Sequence, residues 1–140
     1  MKDKLNPFHL AIPVSNLEES VAYYRDTLGL REGRSSKKWA DFDFFGHQLV
    51  CHVSDSINEQ VTNPVDGEEV PVPHFGVVLS IEEFEEFLSQ INDENVDFII
   101  KPTIRFKGEI GEQRTMFFKD PSGNALEFKS FKNFNQIFEK

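Results

Sequence analysis

Two features of the sequence predict an α+β fold made of two paired βαβββ modules. The first is an internal repeat. His9 leads a mostly apolar stretch that ends at Val14 and is followed by Ser15 and Glu18; His74 leads Phe75 to Leu79 and is followed by Ser80 and Glu83. In both copies the serine stands six residues after the histidine and the glutamate three beyond that. The second feature is the order of segments after each Ser-x-x-Glu signal, a helical stretch and then three strand-like runs. One copy alone leaves a sheet face uncovered, so pairing two copies buries both incomplete cores. At 140 residues with 39% hydrophobic side chains, 15 of them phenylalanine, the chain has enough apolar material for one such core.

In module one, about residues 5–54, a short strand carries His9 at its start and runs into the Ser15–Glu18 capping box. The helix then covers residues 16–28 and stops at Gly29. Strands are expected over residues 31–36, 38–45 and 47–54. The middle one alternates Trp39, Asp41 and Asp43 with Ala40, Phe42 and Phe44. Residues 55–73, rich in Asn, Asp, Pro and Gly, read as a structureless linker or lid. Module two, about residues 74–130, repeats the order with a helix over residues 81–92 and strands over 96–105, 113–119 and 125–130. Residues 106–112, with two glycines, form a loop. Phe131, Phe134 and Phe138 at helical spacing predict a C-terminal helix over 131–138 docked on the core.

Charge excludes one class of partner. With 15 basic against 24 acidic residues the chain carries a formal charge of -9, which repels a phosphate backbone, so no nucleic-acid partner is expected. No apolar run approaches the roughly 18–20 residues of a bilayer span, and the N-terminal stretch, broken by Pro7, His9 and Pro13, lacks a leader pattern. A cytoplasmic protein without a membrane partner is expected. The single cysteine, Cys51, excludes an intrachain disulfide and a cysteine-rich zinc site.

The repeat also marks the chemistry. His9 and His74 hold matching positions, and a pseudo-twofold relation between the modules would bring them to a shared site. Glu127 stands in the apolar run Ala125-Leu126-Glu127-Phe128, just after the turn Asp120-Pro121-Ser122-Gly123-Asn124, and a carboxylate there needs a partner. Two histidines and one carboxylate are the facial set that holds Fe(II) and also accepts Mn(II), Ni(II), Co(II) or Zn(II), leaving positions open to substrate or water.

On these residues the chain resembles the vicinal oxygen chelate superfamily, which includes glyoxalase I, extradiol dioxygenases, fosfomycin-modifying enzymes and bleomycin-binding proteins. The resemblance covers nearly the whole chain as one domain, residues 1–140. It implies modules packed edge to edge, within a chain or exchanged in a homodimer. It further implies a cup-shaped mixed sheet around one divalent metal held by His9, His74 and Glu127, to which a small molecule binds through two neighbouring oxygens. Aligning Gly46 with Gly123 sets Val50 opposite Glu127, and valine is no ligand, so three protein ligands are expected. His52, on the face of Val50, is a candidate acid or base, or a fourth ligand if a bulge shifts the strand. Gln48 shares that face and is a candidate substrate contact. Arg105 and Gln113 flank the loop at 106–112 and either steer an anionic substrate or are solvated.

Three ligands leave room for the chemistry of an extradiol-type dioxygenase with Fe(II), the leading expectation. A glyoxalase-like isomerase, lyase or transferase is the alternative. A non-catalytic protein that binds a small molecule or antibiotic is a third reading.

Overall fold

The computed structural model describes residues 5–57, 59–91 and 96–140. The chain divides into two units, Met1–Asn58 and Glu59–Lys140. In the first, β1 (His9–Val14) leads to α1 (Leu17–Ala22), which continues as a π-helical turn over Tyr23–Thr27. Then come β2 (Arg31–Ser35), β3 (Trp39–Phe44) and β4 (His47–Val53). The sheet order is β1-β4-β3-β2, with β1 parallel to β4 and the remaining pairs antiparallel. Alternation sorts the faces: Ala40, Phe42, Phe44, Leu49 and Cys51 are buried, and Tyr24 packs its ring 5.6 Å from that of Phe42. Opposite-facing residues include His9, Trp39, Asp41, Gln48 and His52.

The cap of α1 sits one residue later than expected. Asn16, in extended conformation, accepts the Glu19 amide on its side-chain oxygen at 2.9 Å, so the N-cap is Asn16 rather than Ser15. Asparagine caps a helix as well as serine does, and the backbone selects between neighbours. The helix ends, as expected, at Gly29, whose φ of 74° favours glycine.

The second unit opens with an element that the sequence does not predict. Residues 55–73 are not structureless: β5 (Val61–Val65) and β6 (Glu68–Val72) pair as an antiparallel hairpin. Its turn is Asp66-Gly67, both at positive φ, the form that matches strand twist. Pro64 and Pro71 argue against strands, but this two-stranded ribbon demands few of the amides a central strand would.

The first strand of the second module is split into β7 (His74–Phe75) and β8 (Val78–Leu79). α2 (Ile81–Ile91) follows, then β9 (Asp97–Arg105), β10 (Gln113–Lys119) and β11 (Ala125–Phe131). Here the capping box is the expected one: Glu83 N–H donates to Ser80 Oγ and Ser80 N–H to Glu83 Oε1, each at 3.1 Å. Residue 92, the expected end of the helix, lies outside the described residues.

β7 and β8 both lie parallel on β11, and β10 and β9 continue the sheet. α2 buries Phe84, Phe87 and Ile91, with the Phe87 ring 4.5 Å from Phe128 and Phe118 stacked on Phe128 at 5.7 Å. The C-terminal helix is corrected to a short 3-10 turn, Phe134–Gln136. Phe131 belongs to β11, while Phe134 and Phe138 are exposed, so their spacing does not reflect a docked helix.

Strand register tests the alignment of the two modules. His9 pairs with Gln48 and His74 with Ala125, so Val50 and Glu127 each stand two residues past the partner of their module's histidine. β4 runs against β3 in continuous register from His47 to His52 without a bulge. Val50 thus holds the position equivalent to Glu127, and His52 that of Lys129.

Candidate metal centre

Glu127 reaches its site through strand alternation. Leu126 and Phe128 turn toward α2, and Glu127 points to the other face of β11, opposite Phe117 of β10. Only 8% of it is exposed, and both carboxylate oxygens are engaged. Thr115 Oγ donates to Oε2 at 2.6 Å, while Oε1 lies 3.5 Å from His74 Nε2 and 3.3 Å from Lys129 Nζ. His74 donates from Nδ1 to the Pro71 carbonyl at 2.7 Å, and its ring meets that of Phe117 edge-on at 5.0 Å. These contacts fix both the ring plane and the tautomer, so Nε2 is the nitrogen presented to Glu127. A cavity of about 230 Å³ opens beside the pair, lined by residues 74–78, Glu127 and Lys129.

The environment couples the two groups. His74 is raised above its ordinary value, chiefly by the hydrogen bond to Glu127; burial opposes the shift and the Pro71 carbonyl adds to it. Burial pushes the Glu127 carboxyl up, but His74, Thr115 and Lys129 together outweigh it and hold the group below its usual range. Both shifts therefore favour the ion pair. The His74 contribution to stability is complete below its ordinary value of 6.5 and fades as pH rises through the raised folded value. The Glu127 contribution holds above 4.5 and is lost as pH falls through the lowered folded value. In chelator-treated protein the stability difference between wild type and His74→Gln is expected to be largest between those two values and to shrink toward pH 9. Urea midpoints across pH check this; a difference that does not vary with pH would remove the pair.

The donor set suits a divalent metal. An imidazole nitrogen and a carboxylate oxygen 3.5 Å apart can both reach one ion at roughly 2.0–2.2 Å. The Nδ1–carbonyl bond is the outer contact that orients a ligating histidine. Among the described residues no group of three or more His, Cys, Asp or Glu is gathered as a metal cage. His9, the third expected ligand, belongs to the first unit.

A family model described as the glyoxalase/bleomycin resistance protein/dioxygenase superfamily matches residues 6–128. The chain belongs to that superfamily. A crystal structure of a superfamily protein from Alicyclobacillus acidocaldarius is 33% identical, with a TM-score of 0.84 over 99% of this chain and 100% of the other. The metallothiol transferase FosB of Staphylococcus saprophyticus is 26% identical over 119 residues, 85% of this chain and 72% of its own length. The fosfomycin resistance protein FosX of Listeria monocytogenes, at 20% identity and a TM-score of 0.66 over 97% of this chain and 98% of the other, shares the fold.

Within this superfamily fold, the remaining residues singled out from the sequence have distinct surroundings. His9 is exposed and donates from Nδ1 to Gln48 Oε1 at 2.8 Å; Gln48 in turn donates from Nε2 to Asp41 Oδ2 at 3.2 Å. Each end of the Gln48 amide thus makes one contact, Oε1 with His9 and Nε2 with Asp41. His52 is exposed and faces Trp39 across the strand pair. Arg105 and Gln113 are cross-strand partners and both are buried, so the solvated alternative does not hold.

Several site residues are not marked by the sequence pattern alone. Lys129 is within its reach, because a residue two past Glu127 on a strand shares its face. Thr115 and Pro71 are not, since their roles depend on pairing register and on the hairpin. Asp41 carries no signal beyond a polar strand face. Among the described residues no helix is long and apolar enough to cross a membrane.

Proposed function

We propose that the protein is a metal-dependent enzyme of the transferase type, in which His9, His74 and Glu127 hold one divalent ion and a small oxygen-rich molecule binds to it. The observation that carries the reading is the His74–Glu127 pair, with its tautomer set by Pro71 and its carboxylate held by Thr115. His9 shows the same preparation in its own unit, its Nδ1 engaged by Gln48 so that Nε2 is left to ligate. The curated relatives at 26–28% identity are named metallothiol transferases, which favours group transfer over the extradiol-type ring cleavage expected first.

A bound divalent ion would supply Lewis acidity, polarising a substrate oxygen. Mn(II), Zn(II), Ni(II) or Co(II) serve this as well as Fe(II), because group transfer needs no redox change. The protein residues do the rest. His74, Thr115 and Lys129 keep Glu127 ionised and fixed, Phe117 packs edge-on against the His74 ring, and Lys129 offers an ammonium to an oxygen that gains negative charge. His52 is the candidate for moving a proton. In the transfer a thiolate sulfur attacks a carbon bearing oxygen: the C–S bond forms, the C–O bond breaks, and the released oxygen takes up the thiol proton.

The test loads chelator-stripped protein with each metal in turn and follows thiol loss against small epoxides bearing a neighbouring oxygen. Oxygen uptake with catechols is measured alongside. Metal-dependent thiol loss without oxygen uptake is the expected result. Catechol-dependent oxygen consumption would move the protein to the dioxygenase branch, and ligand binding unchanged by chelation would make it a binding protein.

A further inference from the structure

His9 and His74 each have Nδ1 engaged, but by partners of different kinds. His74 Nδ1 meets the Pro71 carbonyl, a group that only accepts, so the proton stands on Nδ1 and Nε2 is left bare. His9 Nδ1 meets the side-chain amide of Gln48 at 2.8 Å. An amide is oxygen at one end and NH2 at the other, and a half-turn about its last torsion exchanges them. With the oxygen toward His9, the ring carries its proton on Nδ1 and presents Nε2. With the NH2 toward His9, Nδ1 must accept, the proton moves to Nε2, and that nitrogen has no lone pair for a metal. Gln48 alone therefore does not decide which nitrogen His9 presents.

The decision falls one residue further along the hydrogen-bond chain. The other end of the Gln48 amide lies 3.2 Å from Asp41 Oδ2. An ionised carboxylate only accepts, so it draws the NH2 end and turns the oxygen to His9. Strand register explains why Asp41, and not Asp43, has this role. Asp43 stands directly opposite Gln48 across β3 and β4, and Asp41 is the diagonal neighbour on the same face. The Asp43 carboxylate is drawn away from Gln48: Oδ1 accepts from Gly46 N–H at 2.8 Å, and Oδ2 lies 3.3 Å from Arg31 Nη2. In the second unit the strand partner of His74 is Ala125, which offers no side-chain acceptor, and the β5–β6 hairpin supplies one instead.

We infer that Asp41 is a positioning residue: it holds the Gln48 amide in one orientation and thereby fixes the Nδ1–H form of His9, so that Nε2 is the nitrogen offered to a divalent ion. This rests on the function proposed above for the presence of the ion, whereas the relay from Asp41 through Gln48 to His9 belongs to the metal-free protein. His9 and Gln48 are exposed and Asp41 is half-buried, so water competes for each bond. Asp41 also acts one step removed from the ligand, so its loss should cost about tenfold in metal affinity, the lower end of the range for outer partners of metal ligands.

The test reads the tautomer directly in chelator-treated full-length protein. Two-bond nitrogen–proton NMR correlations of the imidazole rings are recorded at about pH 9, well above the ordinary imidazole value of about 6.5, with His9 assigned by its absence in His9→Gln. Wild-type His9 is expected with Nδ1 protonated and Nε2 bare. Asp41→Ala should give a mixture of the two forms, and its zinc affinity by calorimetry should fall about tenfold. Adding Gln48→Glu to Asp41→Ala should restore the Nδ1–H form, because a carboxylate at that position only accepts; a merely structural role for Asp41 would not be rescued in this way. Asp43→Asn removes a charge from the same face but keeps an acceptor for Gly46, and should leave the tautomer as in wild type. The inference is overturned if wild-type His9 carries its proton on Nε2, if Asp41→Ala leaves the tautomer unaltered, or if Asp43→Asn shifts it equally. A tautomer shifted by Asp41→Ala in a chain that takes up no metal retains the relay and discards the metalloenzyme; His9-dependent zinc uptake with an unshifted tautomer does the reverse.

Discussion

Glu127→Ala is expected to lower affinity for a divalent metal by more than about 100-fold and to abolish turnover. Loss of an outer partner of a metal ligand typically costs about 10–100-fold, so removal of a ligand itself should exceed that range. The carboxylate also balances charge: with it gone, Lys129 and His74 face each other with no anion between them, and Thr115 loses the acceptor of a 2.6 Å bond. A buried hydroxyl left without its acceptor costs about 1–3 kcal/mol, so the variant should be less stable as well. Glu127→Gln separates the two effects, because its amide oxygen can still accept from Thr115 while the anionic ligand is lost. Elemental mass spectrometry of protein purified without chelators, with calorimetric metal titration of the three proteins, provides the measurement. Glu127→Gln that retains wild-type metal content would remove Glu127 from the ligand set.

How far this site is legible in the sequence depends on whether each interaction is local. The Ser80–Glu83 box lies within one helical turn, and both halves appear in the structure as expected. The same pattern at Ser15–Glu18 misplaces the cap, because Asn16 competes with Ser15 for the same role one residue on. The histidine repeat and the glycine alignment transfer well: they rest on strand order and register, which both units repeat. The β5–β6 hairpin is hidden because Pro64 and Pro71 are poor strand residues, although Asp66-Gly67 between valine-rich runs is the signal for its turn. Burial of Arg105 cannot be foreseen at all. It depends on a hairpin some 40 residues earlier in the chain folding back over it.

Gly76→Ala is expected to be the most disruptive single-methyl change in the second unit. β7 pairs with Ala125 and Leu126, and β8 with Lys129 and Ser130, so Gly76 passes directly over the backbone of Glu127 in the gap between them. A Cβ there would fall well inside van der Waals contact with the Glu127 carbonyl. Neither partner can yield easily. β11 is an inner strand, paired on its other edge with β10 from Gln113 to Lys119, so β7 must move instead. His74 stands two residues before Gly76, and its displacement would break the 3.5 Å approach to Glu127. Overpacking by a methylene in a core typically costs about 1–3 kcal/mol, and a collision of backbone with backbone should reach or exceed the upper end of that range. Gly33→Ala is the milder comparison: its Cβ would meet Asp41 Cβ at 3.3 Å, a contact that a movement of a few tenths of an ångström relieves. Denaturant midpoints and metal affinity of both variants distinguish the outcomes. Gly76→Ala should fall far below Gly33→Ala in both; if it unfolds at the wild-type midpoint and binds metal normally, the close passage over Glu127 is not what holds His74 in place.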